Sequence, residues 1–350
     1  MALANETGLL TPRGWTTVGD LVSGQRLFDE QGQPCEVREV HEDCLSGTMF
    51  QIEFDDRSVI LSSGHQGWMA KCRRPERTSP HHATTHEIAA RPYWHPSKRF
   101  ANWRIDVAKP LQMTESELPI PPYVLGYWLG DGHALTAQIT CHRGDVASLI
   151  DEFAADGICA VDRGPDPRSN AHNVIFGIGE PVPRKNTLTP RLRDLGVVGN
   201  KHIPADYLRA SSSQRLALLQ GLMDSDGYIA SGTQVGNTQK DEVIADQLLE
   251  LARSLGFKPR KSSRTATIAG AKKGVIFEVF WSTYSDWLPV FRLPRKACRL
   301  SPPTTRERMP SSRKIVCIEK APTRPVRSIV VDSRSRLFLA GDSLVPTCGA

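Results

Sequence analysis

The sequence lacks the features that mark secreted and membrane proteins. Its eight cysteines are scattered, and no two of them form a C-x-x-C pair, so neither a disulfide framework nor a zinc site is indicated. No stretch approaches the roughly 20 apolar residues that a membrane span needs. The first residues, MALANETGLLTPRGW, lack the basic start and the apolar run of a signal peptide. We therefore expect reduced thiols, a cytoplasmic location and no membrane partner.

The sequence also has little excess charge, but its basic residues are unevenly placed. A net charge of +6 permits an anionic partner without requiring one, and a solvated surface is the simpler explanation. Several basic residues, however, flank a predicted hairpin, where evenly spaced cations on a sheet can follow a phosphate backbone. The candidates for DNA binding are Lys258, Arg260, Lys261, Arg264, Lys272 and Lys273.

The two ends of the chain resemble each other in style and differ from the middle. Residues 1–117 and 312–350 read as short strands with period-two alternation, interrupted by Gly, Pro and Asp. Residues 118–311 alternate helical and strand patterns, with amphipathic helices predicted at 145–157 and 240–257. Because an insertion is tolerated at a surface loop, we predict a β-rich domain split by an α/β insertion.

Two matching stretches anchor a repeat inside the predicted insertion. VLGYWLGDG covers 124–132 and LQGLMDSDG covers 219–227, and each has Gly at its third position and ends in Asp-Gly. A glycine on each helix lets two helices approach closely, which would bring Asp131 and Asp226 together. Paired carboxylates suit a hard divalent cation such as Mg²⁺. For a single copy, Asp-Gly could simply end a helix with a turn, but two copies in matching contexts favour a site.

These two stretches resemble the LAGLIDADG motifs of homing endonucleases, in the single-chain form that carries both motifs. The resemblance implies a monomer that lays two β-sheets on double-stranded DNA and cleaves both strands. It implies that Asp131 and Asp226 bind Mg²⁺ as catalytic acids. Lys201, in NKHIPADYL, resembles a lysine that such domains carry between the motifs, although an ordinary surface lysine is an equal alternative.

The β-rich ends resemble inteins, which excise themselves from a host protein and join its flanks. ALANETGLLTPRGWTTVGDLVSGQ resembles the N-terminal block, SSGHQGWMA resembles the block with the activating His, and RPVRSIVVDSRSRLFLAGDSLVPT resembles the two C-terminal blocks. The resemblance implies an all-β splicing domain of the Hint type, split by a LAGLIDADG insertion with two pseudo-symmetric αββαββα-like halves. The partners implied are the flanking host sequences, and splicing itself needs no cofactor.

The residue at the N-terminal junction is unusual, because Ala2 stands where most inteins have Cys or Ser and alanine carries no nucleophile. Class 3 inteins begin this way and use a Cys nearer the C-terminus, with a supporting Trp and Thr. The resemblance places Ser328 at that Cys position, and serine is a far weaker nucleophile than cysteine. The supporting candidates are Ser62, His65, Trp68 and Thr347. Ordinary structural roles remain open for the last three.

Two features depart from the class 3 pattern. His65 and Trp68 are one residue farther apart than the pattern expects, and the chain ends Cys348-Gly349-Ala350 without the terminal His-Asn of inteins. Without Asn the final cyclisation cannot occur, so Ala350 could replace that Asn. Together with Ser328, this substitution would give an inactivated precursor.

Two other classes of protein are consistent with parts of the sequence. A free-standing LAGLIDADG endonuclease with an accessory β domain would not need the N- and C-terminal blocks. An autoprocessing β fold with a binding insertion, similar to hedgehog proteins, would not need both Asp131 and Asp226.

Overall fold

The structure is a computed structural model that describes residues 1–42, 47–72, 79–92, 102–166, 171–176, 188–268, 271–283, 288–302 and 312–350. It divides into two compact units. The first, here called the β unit, comprises Met1–Met113, Arg253–Lys258 and Pro310–Ala350, and the second, the α/β unit, comprises Thr114–Ala252 and Pro259–Met309. Among the described residues, no helix has the length and apolar character needed to cross a membrane.

The N-terminal part of the β unit consists almost entirely of short strands. Hairpin turns are set by local chemistry, as in the turn at Asp55–Ser58, where the Ser58 hydroxyl donates to Asp56 at 2.6 Å and Arg57 adopts φ 69°. The elements are β1 Leu3–Ala4, β2 Gly8–Thr11, β3 Gly14–Thr17, β4 Arg26–Phe28, β5 Pro34–Glu42, β6 Met49–Phe54, β7 Val59–Ser63, β8 Gly67–Cys72, β9 His81–Thr84, α1 Thr85–Ala90 and β10 Trp103–Asp106.

The α/β unit contains two successions of a helix followed by strands. The predicted amphipathic helices are present as α3 and α7. The elements are α2 Pro122–Asp131, β11 Ile139–His142, α3 Val146–Ala155, β12 Ala160–Pro165, β13 Ala171–Phe176, α4 Leu188–Asp194, α5 Ala205–Leu208, α6 Ser212–Ser225, β14 Gly227–Ser231, β15 Gln234–Gln239, α7 Glu242–Ser254, β16 Arg260–Ile268, β17 Ala271–Ser282 and α8 Pro294–Ala297. The first succession forms a three-stranded sheet, β11-β13-β12, and the second a four-stranded sheet, β14-β15-β17-β16.

The last strands return the chain to the β unit. They are β18 Ser312–Ala321, β19 Val326–Val331, β20 Leu337–Ala340 and β21 Val345–Cys348. A ten-stranded sheet in the order β4-β5-β19-β1-β7-β6-β18-β10-β8-β9 interleaves strands from both ends of the chain. The β20–β21 hairpin is buried along both strands. The β unit is therefore one fold assembled from two separated parts of the sequence, as the similar style of the two ends predicts.

The core of the β unit draws on the same two parts of the chain. Trp68 and Leu27 from the N-terminal part pack in one cluster with Ile315 and Val345 from the C-terminal part, and all four side chains are at most 1% exposed. The short segment Arg253–Lys258 also belongs to this unit. Its contacts include the Leu111 amide, which donates to the Ser254 carbonyl at 2.9 Å. The domain limits predicted from sequence did not assign this segment to the β domain.

Candidate functional sites

The two motif helices of the α/β unit, α2 and α6, cross at their glycines. A Cβ on Gly126 would collide with the backbone carbonyl of Leu218, and a Cβ on Gly221 would collide with the backbone of Tyr123 and Tyr127. Only glycine allows two helix backbones to approach this closely. A Cβ on Gly130, just before Asp131, would lie 3.1 Å from a carboxylate oxygen of Asp226. The crossing therefore brings the two motif aspartates together, as the spacing predicts.

Asp131 and Asp226 lie in a setting that disfavours two negative charges. Burial, followed by the negative charge of Asp226, raises the pKa of Asp131 to about 6. Burial also raises the pKa of Asp226, although a hydrogen bond from Gln239 and the nearby lysines oppose the rise. A cation placed between such carboxylates would relieve this cost. In the described part of the chain, no set of three or more His, Cys, Asp or Glu side chains is arranged to hold a metal ion.

A lysine caps the end of each motif helix. The Lys201 amine donates to the carbonyls of Trp128, Leu129, Gly130 and Gly132, at 2.7–3.2 Å. The Lys296 amine donates to the carbonyls of Met223, Ser225 and Gly227, at 2.8–2.9 Å. Each lysine thus donates hydrogen bonds to the carbonyls of the two residues that flank a motif aspartate, Asp131 for Lys201 and Asp226 for Lys296. Burial lowers the pKa of Lys201 to about 8 and also lowers the pKa of Lys296.

Lys296 was missed by the motif reasoning, although the repeat contains the signal for it. Lys296 follows Asp226 by the same number of residues as Lys201 follows Asp131. When the two copies are aligned beyond their Asp-Gly ends, Lys201 and Lys296 fall at the same position. The surrounding residues, NKHIP and PRKAC, share little else.

The four-stranded sheet presents one face away from α7. Cross-strand pairs place Tyr228, Gly236, Phe280 and Arg260 in one row on this face. Arg264 lies on the same face, four residues after Arg260 along β16, and pairs with Glu278 at 3.0 Å. Tyr228 is 36% exposed, an unusual position for an aromatic side chain. An open sheet face that carries aromatic and arginine side chains is suited to contact with nucleic acid.

The other predicted DNA-binding residues lie in different surroundings. Lys261 points to the opposite face, where it pairs with Glu242 at 2.9 Å and with Asp246, both on α7. Lys258 belongs to the β unit and pairs with Asp55 at 3.0 Å. The side chains of Lys272 and Lys273 lie outside the described residues. Strand alternation thus separates Arg260 and Arg264 from Lys261, which a linear count of basic residues does not reveal.

In the β unit, residues from both ends of the chain meet. Leu3 pairs with Arg327 on one side and with Ser62 on the other. Continuing this antiparallel register places Ser328 opposite Ala2. The Ala2 carbonyl accepts a hydrogen bond from the Ser63 amide at 3.0 Å. The Ala350 amide donates to the carbonyl of Ile329, the residue next to Ser328, at 2.8 Å.

The space beside Gly67 is also bounded by both chain ends. A Cβ on Gly67 would lie 2.9 Å from the Met1 sulfur and 3.2 Å from the Cβ of Cys348. Thr347, just before Cys348, is fully buried and its hydroxyl donates to the Val345 carbonyl at 2.9 Å. The predicted Ala2, Ser328, Thr347 and Ala350 therefore all lie in the part of the β unit where the ends converge.

A buried hydroxyl joins two of the other predicted residues. The Trp68 indole donates to the Thr85 hydroxyl at 2.9 Å, and the Ser62 hydroxyl lies 3.2 Å from the same Thr85 oxygen. All three side chains are fully buried. Thr85 was not predicted as a site residue, because the sequence around it, CRRPERTSPHHATTHE (72–87), is polar and resembles a surface loop. The Thr84–Glu87 capping box, which begins α1, was the sequence signal for order there.

His65 and its neighbour Gln66 point in different directions. His65 is exposed, and its ring lies 5.2 Å from that of His86. Gln66 is only 1% exposed, and its side-chain amide donates to the Cys348 carbonyl at 2.8 Å. Gln66 stands two positions before Trp68, whereas His65 stands three positions before it. The side chain that reaches the C-terminal segment is therefore Gln66.

Comparisons with known proteins agree with the motif reasoning. The LAGLIDADG-like domain family matches residues 213–277. A replicative DNA helicase DnaB of Mycobacterium intracellulare is 32% identical over 366 residues, which cover 99% of this chain and 58% of that protein. The DnaB of Mycobacterium leprae is 37% identical over 67 residues, or 19% of this chain and 11% of that protein. This chain thus spans less than two thirds of either DnaB protein.

Solved structures with weak overall similarity include an intein and a homing endonuclease. The crystal structure of the MchDnaB-1 intein aligns over 99% of both chains, with 13% identity and a TM-score of 0.29. Variants of the homing endonuclease I-DmoI align over 51% of this chain and 95% of theirs, with 13% identity and a TM-score of 0.34. The predicted resemblance to inteins with a LAGLIDADG domain is confirmed, and residues 213–277 match the LAGLIDADG-like domain family.

Proposed function

We propose that this chain is an intein that interrupts a DnaB-type helicase and carries a homing endonuclease. The observation that supports splicing is the β unit, whose central strand β1 is held between β19 and β7. A splicing element must bring its two junctions together, and here Ala2 and Ala350 both lie beside the strand that carries Ser328. The DnaB host follows from the similarity to the mycobacterial protein.

The first splicing step assigned to this site is an acyl shift of the class 3 kind. The Ser328 oxygen would bond to the carbonyl carbon of the residue before Ala2, and the Ala2 nitrogen would leave as an amine that takes up the hydroxyl proton. Ser62, His65, Trp68 and Thr347 are the supporting residues in this proposal. Because serine is a weak nucleophile, this first step would be slow in the chain as it stands.

The endonuclease proposal places Asp131 and Asp226 as ligands of a divalent cation, with Mg²⁺ as the expected metal. The residues fit such an ion, because each carboxylate has a raised pKa and burial leaves the pair in need of positive charge. When bound, the cation would supply a polarised phosphate and an activated water. Lys201 and Lys296, which grip the residues flanking each aspartate, add positive charge beside the pair.

The α/β unit is proposed to consist of two pseudo-symmetric halves that lie on double-stranded DNA. Each half begins with a motif helix, continues into an antiparallel sheet and ends with a lysine that returns to the motif helix. In the second half, Arg260 and Arg264 lie on the sheet face away from α7 and would contact the DNA. Lys258, Lys261, Lys272 and Lys273 remain weaker candidates for the same surface.

Asp131→Asn and Asp226→Asn test the endonuclease proposal. The substrate would be a plasmid that carries the host gene without the segment encoding this chain. Each variant should lose cleavage in Mg²⁺ by about a hundredfold or more, because a metal ligand is lost, while DNA affinity falls little. Asp151→Asn, at an exposed position on α3, serves as the matched control and should cleave normally. Equal losses of binding and cleavage would count against a catalytic role.

The alternative is a free-standing LAGLIDADG endonuclease with an accessory β domain, and deletion of residues 119–311 separates the two. If the chain is an intein, the β unit should still fold after the deletion, because its sheet is built from residues outside the deleted segment. Its thermal stability should fall somewhat, since the deletion also removes the Lys258–Asp55 pair. A deletion product that only aggregates would favour the alternative. Circular dichroism and size-exclusion chromatography distinguish the outcomes.

A further inference from the structure

Asp224 is a buried carboxylate that is not part of the proposed metal pair. One of its oxygens accepts from the Tyr123 hydroxyl and from the Arg292 backbone amide, both at 2.9 Å. The Leu293 backbone amide also donates to the carboxylate, at 3.2 and 3.3 Å. Asp224 is 2% exposed, so these bonds are shielded from water. The carboxylate therefore fixes the backbone immediately before α8, the helix that carries Lys296.

The same segment is held by the side chain of Arg292. Its guanidinium lies over the Tyr123 ring, 4.3 Å from the centroid, and donates to Gln220 at 2.7 Å and to Glu152 at 3.1 Å. These contacts of the Arg292 side chain add to those that Asp224 makes with the backbone of the same segment. Asp224 links α6 directly to the backbone amides that lead to Lys296, whereas Gln220 of the same helix bonds the Arg292 side chain and, at 2.6 Å, the more distant Pro289 carbonyl.

In the first half of the α/β unit, a different residue holds the backbone near the lysine. Leu129 stands where the second motif has Asp224, and it has no side-chain acceptor. The segment after Lys201 is instead held by Gln247 of α7. The Ile203 amide donates to the Gln247 side chain at 2.7 Å, and the Gln247 side-chain amide donates back to the Ile203 carbonyl at 2.9 Å.

We propose that Asp224 is the positioning residue for Lys296 and that Gln247 is the positioning residue for Lys201. Each holds the backbone within a few residues of one lysine, and that lysine grips the backbone on both sides of one motif aspartate. The two anchors lie on different elements and share no contact among the hydrogen bonds described. The two lysines are therefore positioned independently, Lys296 by a carboxylate and Lys201 by a side-chain amide.

The consequence for DNA cleavage rests on the proposed endonuclease function. If each lysine serves the reaction beside its own aspartate, loosening one lysine should slow the cleavage of one DNA strand more than the other. Supercoiled plasmid would then accumulate as a nicked intermediate. This pattern differs from a general loss of stability, which would slow both strands equally.

Amine labelling tests the positioning roles without any DNA. The intact protein is acetylated under limiting reagent, and the modification of Lys296 and Lys201 is quantified by mass spectrometry. Asp224→Leu, which copies the residue of the first motif, should raise the labelling rate of Lys296 about tenfold, as expected for the loss of buried hydrogen bonds, and leave Lys201 unchanged. Gln247→Leu should do the reverse. Asp224→Asn and Gln247→Asn, which keep one acceptor, should give smaller changes in the same directions.

The outcomes separate the inference from the proposed function. Unchanged labelling of Lys296 in Asp224→Leu, or an equal rise at both lysines in either variant, would overturn the positioning roles in favour of a plain contribution to stability. If labelling in the variants is selective but the wild-type protein does not cleave the plasmid, the positioning roles are supported and the endonuclease function is not. Selective labelling with accumulation of nicked plasmid would support both.

Discussion

At the scale of single residues, the β unit contains an ion pair that is shielded from water. Arg313 donates to Asp56 at 2.6 Å, and the two side chains are at most 1% exposed. Burial alone would raise the pKa of Asp56, but the charge of Arg313 and the hydrogen bonds from Ser58 outweigh it and hold that pKa below its usual value. Loss of either partner would leave an uncompensated buried charge.

Asp56→Asn should therefore lower the free energy of unfolding by about 3–5 kcal/mol at neutral pH. Because the folded-state pKa is depressed, the pair contributes fully above about pH 4, and its contribution is lost as the pH falls through the folded-state pKa. Asp106→Asn breaks the exposed Lys71 pair instead and should cost at most about 1 kcal/mol. Urea unfolding measured between about pH 3 and 7 checks both, and equal costs for the two variants would contradict the argument.

Residues that a motif fixes by type and spacing were predictable, and residues defined by three-dimensional contact were not. Asp131 and Asp226 follow directly from the two Asp-Gly ends. Gln66 and Thr85 carry no such signal, because a glutamine or threonine becomes informative only when its buried partner is known. The sheet face on which Lys261 lies was not predicted either, because a count of basic residues ignores strand alternation.

At the scale of elements, the helix pair α2 and α6 determines the geometry of the proposed endonuclease site. Glycines at the crossing let the backbones touch, and the ends of both helices then lie together. Both amphipathic helices were predictable from their periodicity. Strands β11, β14 and β15 were harder to predict, because they are short and carry few apolar residues.

Gly126→Ala and Gly221→Ala should each destabilise the α/β unit, although alanine favours a helix by about 1 kcal/mol. The added methyl group would meet the backbone of the facing helix, and overpacking of this kind costs about 1–3 kcal/mol. Gly144→Ala is the matched control, because its Cβ would lie 3.3 Å from the nearest atom, on the His142 side chain, at an exposed position. Thermal unfolding of the three variants checks the prediction, and a gain in stability at Gly126 would contradict it.

At the scale of the whole molecule, the chain divides into a split β unit and an α/β unit, and the sequence changes style near residues 117 and 312. The exception is Arg253–Lys258, a short segment in the predicted insertion that packs in the β unit. Its role depends on contacts to residues far away in sequence, such as the pair between Lys258 and Asp55. No local pattern in KPRKSSR distinguishes the lysine that makes this pair from the basic residues that follow it.

The central claim is the proposal that this chain is a splicing element with Ser328 at the position of the nucleophile. Its most direct test is intact mass spectrometry of the chain placed between the sequences that flank it in its gene. The Ser328→Cys, Ala350→Asn double variant should release the element and yield the joined flanks, whereas the unsubstituted chain should stay in one piece. A double variant that also remains intact, while folded by circular dichroism, would contradict the claim.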